Sequence, residues 1–499
     1  MSPAPWRPGP LIYEINTWPW LHALSVARQE PVTLGTVPDE TLDALAAWGF
    51  DAVWLMGVWE RSPLGRQVAR EHPDLQEGYR RALPDFTAED VIGSPYAVRR
   101  YSVDPALGGP GELAALRARL AARGLKLLLD YVPNHVARDH EWLQAAPECI
   151  VQGSPDDLEL QPGYFFSGPG GRVFAHGRDP HFPAWTDTAQ INAFSPAARN
   201  RAATTLLEIA GQCDGLRCDM AMLVTNRVFG QTWGECAGSV PEAEFWEVVI
   251  PVVKGQNPDF LFLAEVYWDL EWELLAQGFD YAYDKRLYDR LVEGSARTVG
   301  EHLRADLAYQ RHMVRFIENH DERRAAEALG PGRDRAAAVL VATLPGATLL
   351  HEGQLAGHRV KLPVQLGRRP AEPDDTATLA FYGALLAEAW QPVYHEGVWR
   401  LREAMPAWDL NATHRSLIAF TWQANEERRL VVVNFSAASA QGRVRLPDFG
   451  LEGRTWTLHD ALDGADYQRG GDEMVYDGLY VDLRPWGAHV LRFVRPQPA

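Results

Sequence analysis

Short apolar runs recur through the first two thirds of the chain, each closing on polar or charged residues and each followed by a stretch of helical periodicity. The candidate strands are LIYEIN, DAVWLM, LKLLLD, GLRCD, FLFLAEV, FDYAY, MVRFIENHD and ATLLHEGQ. Between them lie segments such as GELAALRARLAARG, where Ala, Leu and Arg favour helix and Gly124 supplies the stop. Apolar strands alternating with helices predict an α/β fold built on a parallel sheet, and eight alternations predict a (β/α)8 TIM barrel.

The pattern breaks twice. Between strands three and four, residues 136–192 are rich in Pro, Gly and aromatic side chains, far more chain than a barrel connection needs, and read as an inserted domain. From about Arg415 the strands SLIAFTW, RLVVVNFS, LYVDLRPW and AHVLRF follow one another with turns and no helix, which predicts a C-terminal all-β sandwich domain. The expected organisation is barrel over 1–135 and 193–405, insertion over 136–192 and β-domain over 406–499.

At 499 residues, 46% hydrophobic and 23% charged, the composition is that of a folded globular chain rather than a disordered or fibrous one. The net charge of -18 repels phosphate, so neither nucleic acid nor an anionic membrane is the expected partner. The first residues carry no basic segment leading into an apolar run, and nothing approaches the ~20 apolar residues of a membrane span, so a cytoplasmic protein is expected. Cys149, Cys213, Cys218 and Cys236 lack metal-ligand spacing and read as free thiols. The 18 tryptophans and 16 tyrosines fit a core, and would equally serve a sugar-binding groove.

Chemistry in such a barrel sits at the C-terminal ends of the strands, and the charged residues fall there. Strand three ends in Asp130, with Asn134 and His135 just beyond; strand four ends in Arg217 and Asp219; strand five in Glu265; strand seven in His320 and Asp321. The two-residue period of a strand places Arg217 and Asp219 on one face. An R-x-D pair by itself reads as a structural ion pair. A second carboxyl changes that: Glu265 closes an almost wholly apolar strand, where desolvation favours the protonated form, so an ionised nucleophile and a proton donor would stand on neighbouring strands. Glycoside hydrolysis with retention uses such a pair, ~5 Å apart. Asp321 would then bind hydroxyls and favour an oxocarbenium-like transition state.

DYVPNH, DGLRCDMA, AEVY and ENHD, in this order at the ends of strands three, four, five and seven, resemble the four signature regions of the α-amylase superfamily, glycoside hydrolase family 13. GSPYAVRRYSVDPALGG is similar to the family segment after strand two, WTDTAQIN to the motif closing its inserted domain B, PGATLLHEGQ to its strand-eight region, and LVVVNFS and PWGAHVLRF to its C-terminal domain. The resemblance implies Asp219 as nucleophile, Glu265 as general acid and base and Asp321 as transition-state stabiliser. It further implies that Arg217, His135 and His320 contact the nucleophile or the sugar, and that Tyr96 stacks on that sugar. Arg100 stands where the family usually has Asp before the second tyrosine of that segment, and Met222 and Leu223 stand where many amylases carry Lys and His, which implies leaving-group and acceptor subsites that differ from theirs. Asp130 is expected to orient its neighbours, while Trp185, Tyr267 and Trp268 read either as sugar platforms or as packing.

The implied activity is double displacement on α-linked gluco-oligosaccharides or small α-glucosides, with hydrolysis, glycosyl transfer and isomerisation sharing the same motifs. No cofactor is expected, with calcium left as the alternative: calcium-binding members have Asp where this chain has Gln190, and Asn134 does not by itself assemble the six to eight oxygens that a hard cation wants. A catalytically dead binding subunit would be expected to have lost one of Asp219, Glu265 or Asp321, and all three are present.

Overall fold

A computed structural model describes residues 5–494, so the outer ends of the first and last expected domains lie outside the described residues. Eight strands close a barrel in chain order: β1 (Leu11–Asn16), β2 (Ala52–Met56), β3 (Lys126–Tyr131), β4 (Gly215–Cys218), β5 (Leu261–Ala264), β6 (Tyr281–Tyr283), β7 (Met313–Arg315) and β8 (Ala347–His351). All eight apolar runs read from the sequence become barrel strands. They are continuous rather than alternating because both faces are covered; β2, for example, is buried at every position. The helix Gly109–Ala121 buries Leu113, Leu116 and Leu120 on one stripe, and Gly124, with φ near 79°, takes the left-handed turn that leads into β3.

By compactness the chain forms two units. One comprises Tyr13–Tyr283 with Val360–Ala371; the other comprises Arg7–Ile12, Asp284–Arg359 and the chain from Glu372 onward.

In the first unit the insertion opens with the strand His135–Ala137, paired antiparallel with Thr188–Gln190, so that both ends of the excursion are tied at one point. A small sheet of Gln152–Gly153, Val173–Ala175 and Phe165–Ser167 completes it, over a core that includes Val136, Leu143, Ile150, Phe174 and Ile191.

In the second unit the C-terminal strands are β9 (Val398–Arg402), β10 (Ala404–Pro406), β11 (Leu417–Ala424), β12 (Glu427–Asn434), β13 (Ala440–Val444), β14 (Thr455–Asp460), β15 (Asp466–Gly470), β16 (Leu479–Leu483) and β17 (Ala488–Val494). They form a six-stranded sheet, β9-β11-β12-β17-β14-β15, and a three-stranded one, β10-β13-β16, around a shared core with Leu430, Val432, Trp456 and Phe493. Strand β9 precedes the boundary at 406 and β10 straddles it; the charged VWRLR run of β9 is legible as a strand only once β11 is there to pair with it. The run LVVV in β12 is buried on both faces. The helix Arg333–Thr343 accounts for its outer side, and Trp422 of β11 donates its indole N–H to the Thr343 carbonyl at 2.7 Å.

Among the described residues no helix is long and apolar enough to cross a membrane. Cys149, Cys213 and Cys218 are free and buried, and Cys236 is free and half-buried.

Candidate active site

Register builds the site. Cys218 lies beside Ala264 in the β4–β5 pair, so Asp219 and Glu265 are the next residues on adjacent strands. The backbone stays bonded past the formal strand ends: Asp219 donates its N–H to Tyr131, Glu265 to Cys218 and Ala221 to Glu265. Both carboxyls therefore stand on fixed backbone at the rim.

Arg217 unites them. Its side chain is fully buried, with Nη1 2.8 Å from Asp219 Oδ1 and 3.5 Å from Asp130 Oδ1, and Nη2 2.7 Å from Glu265 Oε2. Burial pulls the guanidinium pKa down, but the charge on Glu265, the Tyr96 and Tyr283 hydroxyls and Asp219 outweigh it and leave it well above the ordinary arginine value. The rings of Tyr96, Trp54 and Tyr283 lie 5.2, 5.4 and 6.0 Å from it. Asp130 is held in turn by the Gly57 N–H, 3.3 Å from Oδ2. Gly57 has φ near 81°, and a Cβ there would collide with Arg61 and Pro95, so glycine is required at this turn.

Immediately after Asp219 the chain bends through Met220, which adopts left-handed φ/ψ of 42° and 46°. For a non-glycine residue this costs about 1 kcal/mol. The bend directs the Met220 N–H at Glu265 Oε2, 2.7 Å away, and the Tyr267 hydroxyl donates to the other oxygen, Oε1, at 2.7 Å. Asp219 and Glu265 are 6% and 2% exposed.

The other expected residues divide between the two units. Tyr96 is half-buried beside Arg217. His135 is buried, with its ring 5.0 Å from that of Trp185, and burial lowers its pKa to about 3, only partly offset by a bond to the Tyr96 backbone. It is a neutral imidazole. Trp185 thus packs on His135, and Trp268 meets His181 edge-on at 4.8 Å. In the second unit, His320 is buried with Nε2 3.0 Å from Asp321 Oδ2, while Asp321 itself is exposed. Asn319 accepts the backbone N–H groups of Asp321 and Glu322, fixing the turn after β7. Glu318 is buried between Arg324, His351 and the Ala325 N–H; burial raises its pKa, and those partners reverse the shift to hold it low.

Two sequence readings change. Met222 and Leu223 are 0% and 2% exposed, packed inside the short turn after Asp219, so they offer no surface to a leaving group or acceptor. Tyr267, read as a platform or packing, binds Glu265 through its hydroxyl. The only sequence signal for that was its position two residues beyond Glu265.

The family's calcium position does not fit a cation here. The Gln190 amide nitrogen donates to Asn134 O at 2.7 Å, Asn134 Oδ1 at 2.9 Å and Ile191 O at 3.1 Å, while its oxygen accepts from Asn134 Nδ2 and the Arg178 N–H. Three carbonyl acceptors fix which end of the amide is nitrogen, and they already point at N–H donors rather than at a site for a metal. Among the described residues no group of three or more His, Cys, Asp or Glu is placed to hold a metal ion.

The model of the α-amylase catalytic domain matches residues 38–188. The α-amylase MalA of Haloarcula japonica is 25% identical over 484 residues, covering 93% of this chain and 59% of that protein. The α-1,4-glucan:maltose-1-phosphate maltosyltransferase 2 of Streptomyces coelicolor is 26% identical over 488 residues, covering 92% and 64%. The chain thus spans about three fifths of the length of these relatives. The crystal structure of an α-amylase from Lactobacillus plantarum superposes with a TM-score of 0.68 at 18% identity, over 97% of this chain and 99% of that one, a likeness of fold. The family match runs from before β2 into the strand Thr188–Gln190, and the charged strand ends stand in the order of the family's signature regions, so the chain is similar to members of the α-amylase superfamily over its catalytic barrel.

Proposed function

We propose that this protein is a retaining glycosidase-type enzyme acting on α-linked gluco-oligosaccharides. One observation carries the reading: a single buried guanidinium spans the carboxyls of Asp219 and Glu265 at the ends of adjacent strands. Arg217 keeps Asp219 ionised and aimed, as a nucleophile needs. Glu265 protonates the departing glycosidic oxygen while Asp219 attacks the anomeric carbon, giving a covalent glycosyl-enzyme; ionised Glu265 then takes the proton of the incoming acceptor as the ester bond breaks. Tyr96 stacks on that sugar and His135 contacts it, while Asp321 as transition-state stabiliser and His320 as a contact rest on the family resemblance. No metal takes part at the Asn134–Gln190 position.

Glycosyl transfer is the second reading, favoured by the likeness to the Streptomyces maltosyltransferase. The test is product analysis over time, by chromatography and NMR of the anomers, with maltoheptaose, trehalose and sucrose, each with and without phosphate. Shorter sugars released first as α-anomers support a retaining hydrolase. Longer oligomers, a sugar phosphate or a rearranged disaccharide support transfer or isomerisation. Initial β-anomers contradict the mechanism.

A further inference from the structure

The two oxygens of Glu265 are not equivalent. Oε2 meets the Met220 backbone N–H at 2.7 Å and the Arg217 Nη2 at 2.7 Å. Both groups only donate, so a proton placed on Oε2 would point at N–H groups with no lone pair to receive it. Oε1 meets the Tyr267 hydroxyl at 2.7 Å. A phenol donates through its hydrogen or accepts through its oxygen. This matters because an acid and base must alternate between protonated and ionised forms twice in every turnover.

We propose that Tyr267 is a positioning residue for the acid and base: Oε1 of Glu265 carries the transferred proton, and the Tyr267 hydroxyl holds that oxygen in both protonation states. With Glu265 ionised, the phenol O–H donates to Oε1. With Glu265 protonated, the carboxyl O–H donates to the phenol oxygen until the glycosidic oxygen takes the proton; in the second half-reaction the acceptor's proton returns to Oε1. The tyrosine hydrogen only rotates and never leaves its oxygen. The loop supports this geometry, since Trp268 and Asp269 both adopt left-handed φ, 64° and 61°, and bend the chain sharply just past Tyr267. The inference rests on the glycosidase reading above.

The test compares Tyr267→Phe with the parent on a maltooligosaccharide, whose leaving group needs a proton, and on α-glucosyl fluoride, whose leaving group does not. Phenylalanine keeps the ring packing, and unchanged thermal midpoints confirm the fold. The expected result is a fall of about tenfold or more in kcat on the oligosaccharide with KM little changed, and less than about threefold in kcat/KM on the fluoride. An equal fall on both substrates assigns Tyr267 a structural role and overturns the inference, as does no fall on either. Glu265→Gln run in parallel separates the two levels: if it spares oligosaccharide turnover, the glycosidase reading itself fails, whereas if it collapses turnover while Tyr267→Phe is silent, only the role of Tyr267 fails.

Discussion

Around Arg217 the first unit buries ions; around Gln190 it buries amides and neutral imidazoles. The first cluster sets one guanidinium against Asp130, Asp219 and Glu265, an arrangement with more carboxyls than cations. The second ties the mouth of the insertion together through Asn134, Gln190 and Ile191, with His135 and His176 alongside, and burial lowers the pKa of those histidines to about 3 and about 4. Buried ions are costly and bring little net stability over neutral packing, so they are retained where charge has work to do. Amides satisfy the same buried acceptors without a charge. On the function proposed above, the difference separates a reactive rim from a structural clasp.

The sharpest way to break this comparison is at the charges. Asp219→Asn should lower turnover by ~10⁴-fold or more with the fold intact, measured by initial rates beside a thermal melt. Arg217→Met should do damage of a different kind. Removing one partner of a buried pair leaves the three carboxyls uncompensated and should cost about 3–5 kcal/mol of stability, read from denaturant midpoints. If that variant is as stable as the parent, the cluster is not held by its cation.

The clasp predicts smaller effects. Gln190→Ala strands Asn134 Oδ1 and the Ile191 carbonyl and should cost ~1–3 kcal/mol, visible as a lower thermal midpoint. Gln190→Glu is the sharper variant: it turns donors into acceptors among those oxygens, so it should destabilise further and make the midpoint calcium-dependent, whereas the parent's midpoint should not respond to calcium.

Acid should loosen the insertion. His135, His140 and His176 have folded pKa values of about 3, 4 and 4, each lowered first by burial, against about 6.5 when unfolded. Between those values the unfolded chain binds more protons, so stability is complete above about pH 6.5 and falls as pH drops toward 4, by up to ~1.4 kcal/mol per pH unit for each histidine. Limited proteolysis from pH 7.5 to 4.5 should cut within 136–192 first; cleavage elsewhere first would contradict this. The smallest effect is chelation: EDTA should leave both the thermal midpoint and the rate unchanged.

Most of the architecture is legible in the chain, because barrel strands covered on both faces are written as unbroken apolar runs and the charges at their ends stand out against them. Arg217, Asp219, Glu265 and Asp321 are read as candidates that way. What the sequence hides is contact that depends on register and loop geometry. That Met222 and Leu223 turn inward follows from the left-handed bend at Met220, which no propensity reveals in a non-glycine residue. Tyr267 is one aromatic among many until the loop returns its hydroxyl to Glu265. Strands β9 and β10 become visible only through partners that come later in the chain.

The central claim is that Asp219 forms a covalent bond to the sugar. The most direct measurement is mass spectrometry of the protein incubated with 5-fluoro-α-glucosyl fluoride, followed by peptide mapping. The account predicts a single glycosyl adduct on the peptide carrying Asp219, absent in Asp219→Asn and released as the protein turns over. An adduct on another carboxyl, or turnover of the reagent with inverted configuration and no adduct, would contradict it.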